Sequence, residues 1–226
     1  MRPWMFCVFF GGIIILSFGS SQAALSPTAR RTDSPAIGQS PFTPLQQAVA
    51  RLDSAVAPAE WQQVRALFER LSSVDTSSWL PTYYLAFADI ELFFRASDRQ
   101  QQARYLEEAE ACLDRLKEMN VQNPAERSEI AALRGYWLYA RVAADPGENG
   151  PKYAGLVLSS FGEALRLNPA NPRALLLNAS FQKHMAAAMR QTYPPYEEEM
   201  RRASALLDRP VSPAEFPHWG RRQMTY

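Results

Sequence analysis

Apolar residues recur along this chain at helical spacing, and the spacing itself repeats. Val64, Phe68 and Leu71 are followed by Cys112, Leu116 and Met119, then by Val157, Phe161 and Ala164, then by Ala203 and Leu207; the starts lie 48, 45 and 46 residues apart. A small or branched apolar residue with a large one four positions on marks one stripe of a helix. A repeat near 46 residues marks stacked helix pairs, each unable to bury its apolar face alone. The pattern predicts an all-α fold, an α-α superhelix of about four antiparallel helix pairs.

Proline, asparagine and glycine signals divide the chain into helical runs at 44–56, 58–72, 79–96, 99–119, 125–143, 152–167, 172–189 and 196–207. Asp98 and Asn171 stand as N-caps, and Pro58 and Pro172 stand just inside helix starts. The run 79–96 is aromatic and apolar nearly all round, so it should be covered on several sides. Residues 145–151 read as a loop, favoured as a rigid turn that lets two long helices pack, the alternative being a contact loop at the mouth of the groove with Lys152 and Tyr153. A tail carrying Pro210, Pro213 and Pro217 cannot form a long helix.

The ends supply an address. Arg2 precedes an apolar stretch from Trp4 to Phe18, and Ser21-Gln22-Ala23 places small residues before a cut after Ala23. That stretch is about 15 residues, short of the roughly 20 that span a bilayer. The expected organisation is a signal peptide at 1–23, a disordered spacer at 24–40, a helical repeat domain at 41–209 and an irregular tail at 210–226. The protein should then be exported, periplasmic or secreted, with no stable membrane span after cleavage. The chain carries 24 basic and 23 acidic residues, and loss of Arg2 balances them. Such neutrality argues against nucleic acid or an anionic membrane as the main partner. Only Cys112 survives cleavage, in a position where the repeat wants a small residue against its neighbour, so it should be buried.

Reactive groups are sparse. His184 and His218 are the only histidines and have no ligand spacing, so they read as surface or interface residues. Ser159, Ser160 and Ser204 sit inside helices without a base, and the Glu107–Glu110 and Glu197–Glu199 runs read as solvated faces. Asn178-Ala179-Ser180 matches a glycosylation acceptor by accident of a helical sequence. No catalytic residue, cofactor or metal site is expected. Aromatics do gather: Tyr83, Tyr84, Phe87, Phe93, Phe94, Trp137 and Tyr139 fall on the first helices of two pairs, which line the concave side of such a stack.

On these residues the chain resembles the tetratricopeptide repeat family. Leu167-Asn168-Pro169-Ala170-Asn171-Pro172 is similar to its inter-repeat turn. Ile130, Leu133 and Trp137 fall in its first-helix register, with Arg134 where glycine is usual. Val157, Phe161, Ala164 and Pro169 fit its second helix, though the family period is about 34 residues. Trp79-Leu80-Pro81, Ala144-Asp145-Pro146, Gly150-Pro151-Lys152-Tyr153 and Trp219-Gly220 resemble exported bacterial proteins with lengthened repeats. The resemblance implies a non-catalytic scaffold for a protein or peptide partner, with Tyr84, Arg134, Trp137, Arg141, Lys152, Tyr153, Asn178 and Gln182 as candidate contacts. The alternative is a solenoid that binds a small molecule or glycan. A closed apolar pocket with a few convergent polar groups would favour that alternative.

Overall fold

The computed structural model describes residues 42–225; the expected signal peptide, the spacer and residue 41 lie outside them. Eight α-helices are formed among the described residues: α1 Pro44–Ser54, α2 Pro58–Val74, α3 Trp79–Arg95, α4 Arg99–Glu118, α5 Pro124–Ala144, α6 Pro146–Leu167, α7 Pro172–Ala188 and α8 Tyr196–Leu207, with a final 3-10 turn at Arg222–Thr225. No strand occurs among the described residues.

The starts follow one chemistry. Asn123, Asp145 and Asn171 each precede a proline and each accept a backbone N–H of the next turn, as N-caps of α5, α6 and α7. This corrects the expected loop at 145–151. Asp145 caps α6 and Pro146 occupies its first position, so the segment is helix from Pro146 onward, with Pro151 inside it. Pro151 stands in the second turn and forfeits one backbone bond, which the capped first turn and the rest of the 22-residue helix outweigh. The Asn149 side chain also donates to the Arg141 carbonyl at 2.7 Å, tying the turn to α5.

Helices pair as α3 with α4, α5 with α6 and α7 with α8, while α3, α5 and α7 lie side by side as an inner row. Cys112 is buried on α4, and burial pushes its thiol pKa up. The tightest pair is α5 with α6, because a Cβ built on Gly135 would come within 2.5 Å of the Phe161 ring. The glycine that permits this approach stands one position after Arg134, where the family register had placed it.

Bonds between neighbouring repeats recur at the repeat spacing. The Glu129 carboxylate accepts Arg173 Nε at 2.6 Å and Nη2 at 2.7 Å, and also Asn171 Nδ2 at 3.0 Å. One repeat earlier, Glu91 accepts the Tyr136 hydroxyl at 2.8 Å. Both carboxylates are about 1% exposed. Buried charges of this kind persist only when each oxygen is bonded.

The tail returns across the inner row. Trp219 stacks on Phe87 at 4.3 Å and on Tyr136 at 5.8 Å between ring centres. Its indole N–H donates to the Tyr83 hydroxyl and its carbonyl accepts from Arg173. Arg222 donates to the carbonyls of Asp53 and Ala55 at the end of α1. The segment expected to be merely irregular is therefore part of the core.

Candidate functional site

Where the tail stops, the inner row stays open. A cavity of about 700 Å³ lies between α3, α5 and α7. Phe94, Tyr136 and Phe181 give it aromatic walls, and Val142, Leu177 and Met185 add aliphatic ones. Phe94 stacks on Tyr136 at 5.6 Å yet remains 41% exposed, a large apolar ring left at the edge of the opening. Among the described residues, no carboxylate, lysine or arginine lines the cavity. Such a wall favours an apolar ligand, with any ionised substituent kept at the opening.

Three polar features converge on this surface. The Tyr139 hydroxyl on α5 and His184 Nδ1 on α7 are hydrogen-bonded to each other. Tyr139 also packs edge-on against Phe181 at 5.1 Å. Its phenol pKa is pushed up to about 12, first by burial and then by nearby Tyr196. Gln223, from the tail, closes one end; its Nε2 donates to Glu91 at 2.8 Å, while its buried Oε1 has no hydrogen-bond partner. That oxygen is an acceptor left for something else to satisfy.

The eight candidate contacts are not brought together. Tyr84 is 1% exposed, and its hydroxyl donates to the Glu215 carbonyl beneath the tail. Trp137 is buried against α4, its indole N–H donating to the Leu106 carbonyl. Arg141, Lys152 and Tyr153 cluster with each other: Arg141 donates to the Tyr153 hydroxyl, and both cations lie over that ring. Arg134 lines a different, polar cleft of about 460 Å³ between α4, α5 and α6. Asn178 and Gln182 are half-buried on α7 and do not line the large cavity.

The residues that do line it were visible as separate fragments. Leu177, Phe181 and Met185 form the apolar stripe of α7, and Phe94 and Tyr139 belong to the aromatic group on the first helices. What was missed is His184, and the signal that finds it is the period: Tyr139 and His184 are 45 residues apart, one repeat.

No family model matches the chain, and no curated protein matches it. Among solved structures, the HusA haemophore from Porphyromonas gingivalis is similar over 80% of this chain and 87% of its own, with 33% identity and a TM-score of 0.66. The chain belongs to the family of that haemophore. The fold shared over that length is the stack of helices described above, and no helix among the described residues is long and apolar enough to cross a membrane.

Proposed function

We propose that this protein is an exported, non-catalytic carrier that binds haem or a related porphyrin in the cavity between α3, α5 and α7. The observation that carries the reading is the cavity itself: about 700 Å³, walled by aromatic rings, and lined among the described residues by no carboxylate, lysine or arginine. That volume falls within the range typical of small-molecule sites, and its lining suits a rigid aromatic ring with carboxylates kept at the edge. The relative named a haemophore supports the choice of ring.

This takes up the second expectation from the sequence, a small-ligand solenoid, over the scaffold for a peptide. The peptide reading has less support because the chain's own tail fills much of the aromatic inner row. The stack is of tetratricopeptide type with lengthened repeats, and the mature chain begins at Ala24 in the periplasm or outside the cell.

Absorbance titration of the mature protein with haem and with metal-free protoporphyrin tests the function. Saturable binding near one ring per chain is expected. Phe181→Glu, which places a charge in the wall, should abolish it while the far-ultraviolet helical signal persists. Undiminished binding by that variant would move the ligand elsewhere on the surface.

A further inference from the structure

We propose that the cleft between α4, α5 and α6 is a docking site for an acidic peptide segment of another protein, one that carries apolar side chains between its carboxylates. The site is separate from the cavity between α3, α5 and α7, and the inference stands without the porphyrin reading. The cleft holds about 460 Å³. Leu116 of α4, Val121 of the turn that follows, and Ile130 and Ala131 of α5 supply apolar walls. Lys117, Arg127 and Arg134 stand around them, against Glu163 as the one carboxylate among the described residues of the lining.

The sequence builds this surface from two helices and the turn between them. Arg127, Ile130, Ala131 and Arg134 are spaced by three, four and seven, which places them on one stripe of α5. The two arginine positions lie about 10 Å apart along the helix axis. Gly135 lets α5 approach α6 closely, whereas α4 lies against α5 less closely, and the room left at that joint is the cleft. Asn120, at φ 50°, takes the left-handed conformation that ends α4 and turns the chain into Val121 and Gln122.

Charge and hydrogen bonding select the occupant. Lys117, Arg127 and Arg134 are exposed, and none of them has an ion pair or hydrogen bond among the described residues. Gln122 Nε2 donates to the Asn120 carbonyl and to Asn120 Oδ1, which leaves Asn120 Nδ2 and Gln122 Oε1 without a partner among the described residues. A neighbouring donor and acceptor suit a peptide unit, which offers both, whereas a simple anion uses only the donor. Three cations against one carboxylate favour an acidic chain, and the apolar walls favour leucine-like side chains between its charges. The protein's own residues 24–40 do not fit, since Arg30 and Arg31 outnumber Asp33 there. A flat lipid surface meets the exposed cations but not the recessed walls.

Fluorescence anisotropy tests this on the mature protein at low salt, with a short labelled peptide, capped at both ends, in which two leucines lie between glutamates. Wild type should bind it saturably. Arg127→Glu with Arg134→Glu reverses two exposed charges, so the far-ultraviolet helical signal should hold while affinity falls about tenfold or more. Glu163→Gln removes the opposing carboxylate and should tighten binding about twofold. Phe181→Glu, in the other cavity, should leave peptide binding unchanged. The same peptide with lysine for glutamate, or with serine for leucine, should bind wild type about tenfold more weakly or worse. Equal affinity of wild type and the double variant, or of the leucine and serine peptides, would overturn the proposal. So would a peptide that fails to bind wild type. Phosphatidylglycerol vesicles binding in its place, and released by the double variant, would assign the cations to a lipid surface.

Discussion

The inner row has two halves built from the same materials and finished differently. Toward the N-terminal ends of α3, α5 and α7, Trp219 covers Tyr83 and Phe87, the tail at Glu215 covers Tyr84, and both phenol hydroxyls find protein partners. Toward their C-terminal ends, Phe94, Tyr139 and Phe181 present similar rings to an open cavity with an unsatisfied amide oxygen at its end. The closed half reaches its low energy internally, through stacking and a bidentate buried ion pair. The open half leaves apolar surface in water, which is unfavourable by about 25 cal/mol per Å² and is recovered when a ligand covers it. Aromatic content alone does not mark a binding face. What marks it is aromatic surface that the chain itself leaves uncovered.

Four measurements would break or sharpen this contrast. Arg173→Ala removes the cation from Glu129 and strands a buried carboxylate, so it should cost about 3–5 kcal/mol in urea unfolding. A loss below about 1 kcal/mol would mean the closed half is not held by that pair. Next, Trp219→Ala should cost about 3 kcal/mol or somewhat more by leaving a void against Phe87. Phe181→Ala, in a wall already facing space, should cost less stability but far more ligand affinity. If both variants lose stability and affinity alike, the halves are not distinct.

A fourth variant, Gly135→Ala, forces a methyl into the Phe161 ring behind the open half and should cost about 1–3 kcal/mol, read as a lower thermal midpoint. The smallest effect concerns pH. The Asp53 carboxylate, accepting from His218, raises that histidine's pKa above its usual value, so its contribution is complete below about pH 6.5 and fades as pH rises through the folded value. Asp89 acts in the same direction. Burial lifts it to about 7 despite Arg65 beside it, so the folded state holds a proton that the unfolded chain has released, and stability falls as pH climbs from about 4 to 7. Unfolding midpoints should therefore be higher at pH 6 than at pH 8, with Asp89→Asn and His218→Ala each flattening the slope. A midpoint that rises toward pH 8 would contradict both assignments.

Much of the helical frame is legible in the sequence because caps and prolines act locally. Asn171 before Pro172 announces α7, and the structure adds only that its amide also reaches Ser128 and Glu129. The same Asx–Pro signal at Asp145-Pro146 was outweighed by nearby glycines and Pro151, although a single proline in the second turn removes only one backbone bond of a long helix. The site was less legible. The eight candidate contacts were chosen for residue type, yet the tail decides which aromatics stay open, and its contacts join residues more than a hundred positions apart, such as Tyr84 with Glu215 and Trp219 with Tyr83. Local propensity carries no information about such a closure. The repeat period does carry some: Glu91 with Tyr136, Glu129 with Arg173 and Tyr139 with His184 lie 44 or 45 residues apart.

A stack of helix pairs ordinarily behaves like a spring, since each pair touches only its neighbours and small rotations add along the array. The strap from His218 to Gln223 stitches the inside of this spring, touching α1 through Arg222, α3 through Trp219 and Gln223, and α7 through Arg173. A coil sewn along its inner edge cannot open or tighten one turn at a time. The gap between α5 and α7 therefore has a set width, and a guest meets a slot of fixed gauge in place of a groove that adapts to it.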